Sequence, residues 1–276
     1  MQKIVIDKDL LKEIINSSES RINSLMSDLK STLLKSLQND GIVLINIQNK
    51  ADLDEDKIKH VFLSISTCLG VINELYGKLY DVKLGSMKYK NENYNTISHL
   101  NSIAPLHTDG SWLKKSPDII GLACIHQAKM GGETIYADVR DLVEEIRGSE
   151  IEKILTKKFA RETASPGETY DLIQLKSNEI PILEFIPSLK FRYMRRWIEC
   201  ASDRLNVPFS EEEINALDFC DNFFLKNKKQ QLLNSGDIIF VNNSIIVHSR
   251  NPFTEYTEPE GRPRHFVRSW INYTLQ

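Results

Sequence analysis

The 276-residue sequence lacks any apolar run long enough to cross a bilayer. The longest, such as residues 41–47 and 238–241, fall far short of the ~20 residues a spanning helix needs. An excess of positive charge is missing too. Lysine and arginine number 35 against 38 aspartates and glutamates, a net charge of −3, and no basic stripe stands out. Nucleic-acid and membrane-surface binding are therefore not expected. The four cysteines, Cys68, Cys124, Cys200 and Cys220, are widely spread with no C-x-x-C pair, which argues against a disulfide framework or a thiolate zinc site. The opening residues carry no signal-like apolar stretch, so the expected location is cytoplasmic. There is no repeat, no low-complexity tract and no Pro/Gly/Ser-rich linker, so residues 1–276 read as one domain. What remains is ordinary globular material: 41% apolar and 26% charged.

Leucines and isoleucines recur at three and four across residues 8–38 (Leu10, Leu11, Ile14, Ile15, then Ile22, Leu25, Leu29, Leu33), predicting helix up to Asn39-Asp-Gly41. Residues 41–47 read as a strand and 52–69 as a helix ending at Gly70. Residues 71–105 are mixed, with a polar loop at 88–95. Residues 119–125 predict a buried strand, 130–133 a turn, 134–137 a strand, and 138–146 a helix capped by Asp138. Residues 150–200 alternate short strand-like and polar pieces. Ser210 and Glu213 form a capping box that opens a helix inside an insert at 205–232. A turn at 236–237 precedes a strand at 238–242, and residues 264–273 alternate polar and apolar as a half-buried strand does. Many short strands with helices at the front and in one insert predict a mainly β core with flanking helices.

Of six histidines, His60 lies among lysines and reads as solvated, and His126 ends a strand and reads as structural. His107 differs because of its setting, Pro105-Leu-His-Thr-Asp-Gly-Ser-Trp112. On an extended segment His107 and Asp109 share a face and Thr108 takes the other. An imidazole and a carboxylate so placed can bind one cation from adjacent corners. A further imidazole would complete the two-histidine, one-carboxylate triad of non-haem Fe(II) oxygenases. His248, beyond the strand and turn at 236–245, is the candidate; a packed core histidine is the plain alternative. In Arg262-Pro-Arg-His-Phe-Val-Arg-Ser-Trp-Ile271, alternation puts Arg264, Phe266, Arg268 and Trp270 on one face. Two arginines beside two large aromatics suit capture of a carboxylate, unless they pair with the protein's own acids. Arg192-Tyr-Met-Arg-Arg196 reads as a structural basic face, with contact to a substrate carboxylate or a carrier phosphate as the alternative.

The order His107-Thr-Asp-Gly110, Gly131-Gly-Glu-Thr134, Gly236-Asp…Asn243…His248, Arg264-His-Phe-Val-Arg268 resembles the taurine dioxygenase-like (TauD/TfdA) family over roughly residues 25–275. The resemblance implies a double-stranded β-helix, or jelly roll, of the clavaminate synthase-like kind. It implies Fe(II), 2-oxoglutarate and dioxygen as cofactor and cosubstrates. His107, Asp109 and His248 would be the iron ligands. Thr134 and Arg264 would hold the far carboxylate of 2-oxoglutarate. Arg268 matches an arginine that meets the acidic group of the primary substrate in taurine-type members, and Asn243 would orient the turn before His248. Related halogenases replace the carboxylate ligand with a small residue, so Asp109 favours hydroxylation, or desaturation, of a small molecule such as an amino acid, its derivative or an organic acid. Trp112, Phe266 and Trp270 are candidate walls of a dry pocket. Two other readings use the same residues. A non-catalytic sensor would not need the full set, and a zinc hydrolase would leave Thr134 and Arg264 unexplained.

Overall fold

A computed structural model describes residues 1–17, 25–48, 53–83, 104–163, 170–257 and 259–273. Ile22, the polar stretch 88–95 and His99 lie outside the described residues.

Strand β1 (Gln2–Ile6) leads into α1 (Lys8–Asn16), where Asp7 caps the backbone N–H groups of Asp9 and Leu10. Ser17 is extended and ends α1, so the periodicity read across 8–38 is not one continuous helix; among the described residues its later part forms α2 (Ser27–Asn39). Serine favours such ends because its hydroxyl competes for backbone partners. Next come β2 (Ile42–Ile47), α3 (Glu55–Leu69), β3 (Val71–Ile72), β4 (Tyr80–Val82), β5 (Ile119–His126), β6 (Met130–Gly131) and β7 (Thr134–Asp138). Asp138 caps α4 (Val139–Ile146) as expected. The region 150–200 departs from its reading. It holds α5 (Glu150–Leu155), β8 (Lys158–Ala160), α6 (Leu172–Ser177), β9 (Glu179–Pro181), β10 (Leu183–Glu184), β11 (Lys190–Phe191) and the start of α7 (Arg195–Leu205). Then follow α8 (Glu211–Asn227), with its capping box of Ser210 and Glu213, β12 (Lys229–Gln231), β13 (Ile238–Asn242), β14 (Ile246–Arg250), β15 (Phe253–Thr254) and β16 (His265–Asn272). The expected turn at 130–133 contains β6, which pairs with β15.

The larger sheet has the order β1-β2-β13-β5-β16-β3, with β4 also on β16; among the described residues only its β1–β2 pair is parallel. The smaller sheet is antiparallel, β12-β7-β14. Alternation sorts their side chains into three apolar layers. Val43, Ile45, Ile119, Ala123, Phe240 and Val267 face helices α1–α3. Ile135, Ala137 and Val247 of the smaller sheet face α4, α5 and α8. Between the sheets lie Leu44, Ile120, Ile239, Tyr136, Ile246, Phe266 and Trp270. Two sheets enclosing one inner layer make the expected jelly roll, and that inner layer is where the site forms.

Strand β16 is buried on both faces rather than one. The face opposite Arg264, Phe266, Arg268 and Trp270 packs under α3, where the Ser269 hydroxyl lies 2.9 Å from that of Ser66 in a buried hydrogen bond. A serine that would face water on an open sheet here satisfies a helix neighbour instead.

Candidate metal centre

The segment before Asp109 runs antiparallel to β14. His107 and His248 exchange both backbone hydrogen bonds, at 3.0 and 2.8 Å, so the two residues stand directly opposite each other. Their rings are 4.8 Å apart, centre to centre. Thr108 points the other way, its hydroxyl accepting from the Tyr193 N–H at 2.9 Å. Asp109 returns to the histidine face, and the chain then turns at Gly110, whose φ of +64° favours glycine. A Cβ there would also meet Pro117 Cδ at 2.8 Å. Asn243, 2% exposed, fixes this turn. Its Oδ1 accepts from the Asp109 N–H, and its Nδ2 donates to the carbonyls of Asp109 and Pro117, all at 2.9 Å. The loop between β13 and β14 thus sets the position of Asp109 on a segment far away in sequence.

The ligand atoms of His107, Asp109 and His248 all lie within 4.8 Å of one another. Asp109 Oδ1 is 3.5 Å from His107 Nε2 and 3.8 Å from His248 Nε2. His107 Nδ1 lies 2.9 Å from the Pro105 carbonyl; donating there leaves the Nε2 lone pair facing inward. Burial, reinforced by the His107 ring, pushes His248 down to about 3, so its imidazole is neutral. Burial would raise the Asp109 carboxyl; the Arg268 guanidinium beside it outweighs this and holds the group ionised, far below the usual carboxylate range. Two imidazole nitrogens and an ionised carboxylate are the donor set a divalent transition metal takes, and this set fits iron.

The site opens into a cavity of about 140 Å³ between the sheets. Thr134, Arg250 and Arg264 contribute to one part of its lining. Thr134 and Arg250 are direct partners across the β7–β14 ladder. Arg264 is 3% exposed, and its Nε has no hydrogen-bond partner among the described residues. Its guanidinium sits 3.9 Å over the Phe266 ring and 5.0 Å from that of Phe253. Burial, with Arg250 nearby, pushes Arg264 down to about 10. The Gly-Gly turn makes room for it: a Cβ on Gly132 would lie 3.3 Å from Arg264 Nε. A buried cation held by ring faces rather than by a carboxylate is a receptor for an anion.

The sequence profile described as "Taurine catabolism dioxygenase TauD, TfdA family" matches residues 10–270. The chain belongs to the TauD/TfdA family. No curated protein sequence matches it significantly. Among solved structures it is similar to asparagine oxygenase in complex with Fe(II), 2S,3S-3-hydroxyasparagine and succinate. That likeness has a TM-score of 0.73 at 15% identity and covers 98% of this chain and 93% of the other. It is also similar to the non-heme iron oxygenase OrfP in complex with Fe and alpha-ketoglutaric acid, with a TM-score of 0.71 at 12% identity over 99% and 94% of the two chains. A complex of OrfP with Fe, succinate and (3S)-hydroxy-L-Arg gives 0.69 at 12% identity over 99% and 95%. At these identities the likeness is one of fold.

Within this TauD/TfdA chain the remaining sequence candidates separate clearly. Arg268 is not free-standing in the pocket: its Nη1 donates to Asp109 at 2.9 and 3.2 Å. Trp270 Nε1 donates to the same carboxylate at 2.8 Å. Trp112 and Trp270 line the cavity, while Phe266 serves beneath Arg264. The basic cluster is structural: Arg192 pairs with Glu184, and Arg195 with Glu199, Asp218 and Asp221. His60 is exposed, and His126 lies 3.4 Å from Arg262 Nη1. Arg250 went unread in the sequence, although the signal was present. It stands two residues after His248 on one strand and so shares its face.

Proposed function

We propose that this protein is an Fe(II)- and 2-oxoglutarate-dependent dioxygenase that hydroxylates a C–H bond of a small amino acid or closely related acid. The observation that carries this reading is a two-histidine, one-carboxylate cluster sharing one cavity with a buried arginine whose Nε has no hydrogen-bond partner among the described residues. His107, Asp109 and His248 are the proposed ligands. The bound iron, with 2-oxoglutarate and dioxygen, supplies the oxidising power, and the 2-oxoglutarate leaves as succinate and carbon dioxide.

The chain's own residues do the holding. Arg264 pairs with the far carboxylate of 2-oxoglutarate, and the Thr134 hydroxyl donates to it. Inside a pocket walled by Ile120, Leu122 and Ile239 such charge-assisted bonds are stronger than in water. Arg268 keeps Asp109 ionised and offers its cation to the acidic group of the substrate. Asparagine- and arginine-derived products in the similar structures support an amino acid as substrate. Residues 1–276 act as one domain in this reading. Among the described residues no helix is long and apolar enough to cross a membrane, and the four cysteines are free, in keeping with a cytoplasmic enzyme.

The test is turnover. The purified protein with Fe(II), 2-oxoglutarate and dioxygen is challenged with a panel of amino acids. For one of them, succinate release is expected to rise several-fold, with a product heavier by one oxygen atom. A product lighter by two hydrogens would reassign the outcome to desaturation. Iron-loaded protein that consumes no 2-oxoglutarate with or without the panel would overturn the reading.

A further inference from the structure

The indole of Trp270 sits where no part of the proposed catalytic assignment requires a polar group. It is buried on the inner face of β16, packed edge-on against Tyr76 at 4.9 Å and 6.1 Å from the Trp112 ring. A phenylalanine would fill most of this space. Yet the indole nitrogen is aimed at one atom, Asp109 Oδ2, at 2.8 Å. The two carboxylate oxygens therefore differ. Arg268 Nη1 reaches both, Oδ2 at 2.9 Å and Oδ1 at 3.2 Å, but only Oδ1 faces the imidazoles, at 3.5 and 3.8 Å, and only Oδ2 accepts from Trp270.

We infer that Trp270 is a positioning residue: its N–H holds Asp109 Oδ2 away from the metal, so that only Oδ1 is presented as a ligand. The inference rests on the metal-site reading above and goes beyond it. The three protein ligands leave three positions open, two for 2-oxoglutarate and one for dioxygen. A carboxylate free to rotate can present both oxygens and take one of those positions. Arg268 alone is a poor guard against this, because its guanidinium is also the proposed contact for the substrate's acidic group. An indole has one donor and no charge, so its bond to Asp109 is unaffected by what enters the pocket. Partners of this kind, behind the ligands, affect metal affinity by about 10- to 100-fold.

Trp270→Phe keeps the ring packing and removes the donor. Co(II), whose visible spectrum reports coordination number, is titrated into wild type and variant in the absence of 2-oxoglutarate. Melting of the metal-free proteins is followed alongside. The expected result is a Co(II) affinity lower by about tenfold or more and a changed visible band, beyond any change in melting temperature. Equal affinity and an identical band would overturn the inference, as would a lower melting temperature with metal binding intact, which is the mark of a packing role. Wild type that binds no Co(II) would sink the metal-site reading itself, a separate failure.

If Trp270→Phe does not fold, a comparison of wild type with Asp109→Asn still decides. It has three tryptophans, hence three indole N–H resonances. Asp109→Asn removes the charged acceptor, so one indole resonance is expected to move strongly. If none moves, the bond to Asp109 does not exist in solution and the inference fails.

Discussion

Asp109→Ala is expected to reduce turnover to background and to weaken Fe(II) binding by more than about 100-fold, the upper end of what residues behind metal ligands contribute. The reason is electrostatic as well as geometric. Asp109 is the only anion among the three proposed ligands, and it lies between two imidazoles and the Arg268 guanidinium. Without it the site carries the positive charge of Arg268 and nothing to offset a divalent cation. Asp109→Asn keeps the shape and the Asn243 contacts to the backbone but not the charge. It is expected to fall close to the alanine variant in metal affinity and, because the half-buried Arg268 cation loses its anionic partner, to melt below wild type without metal. Equilibrium titration with Fe(II) under anaerobic conditions, with melting curves of the metal-free proteins, measures both. Wild-type affinity in either variant would remove Asp109 from the ligand set.

Arg264→Leu is expected to raise the 2-oxoglutarate concentration needed for half-maximal turnover by about 10- to 150-fold. A hydrogen bond to a charged group contributes about 1.5–3 kcal/mol, and each 1.4 kcal/mol is a factor of ten. The rate at saturating 2-oxoglutarate is expected to change far less. A second readout separates cosubstrate binding from folding. Arg264 is a desolvated cation stacked on Phe253 and Phe266, and its Nε has no hydrogen-bond partner among the described residues. Replacing it by an apolar side chain removes the cost of burying that charge, so the ligand-free variant is expected to melt no lower than wild type. Wild type gains stability as 2-oxoglutarate is added in the presence of metal, and the variant is expected to gain much less at the same concentration. A variant that loses stability without ligand yet keeps its 2-oxoglutarate response would make Arg264 a structural residue.

The parts of this site that follow strand alternation were legible in the sequence. His107 with Asp109, and Arg264 with Arg268, are pairs whose spacing alone places both members on one face. That His248 meets the first pair depends on a backbone bridge between segments 141 residues apart, which only the ordered motifs of a family could foretell. Arg250 obeys the same spacing rule, two residues after His248 on one strand. The role of Trp270 was not readable: its spacing marks a face, but its bond to Asp109 arises from packing across the inner layer. The helices in 150–200 were lost because they are short and polar, so their periodicity is weak. One of them did carry a local sign, the capping box of Asp171 and Gln174 at the start of α6. Strand β1 was missed for the opposite reason: it pairs in parallel with β2 at the sheet edge and needs a partner that no local pattern announces.

The central claim is that His107, Asp109 and His248 hold an iron to which 2-oxoglutarate binds. Anaerobic titration of the purified protein with Fe(II) and then 2-oxoglutarate tests it most directly, by way of the weak visible charge-transfer band that the iron–cosubstrate pair produces. The account predicts a saturable band in wild type and its loss in His248→Ala. A well-folded wild-type protein that takes up neither iron nor 2-oxoglutarate, or a band that survives in His248→Ala, would contradict it.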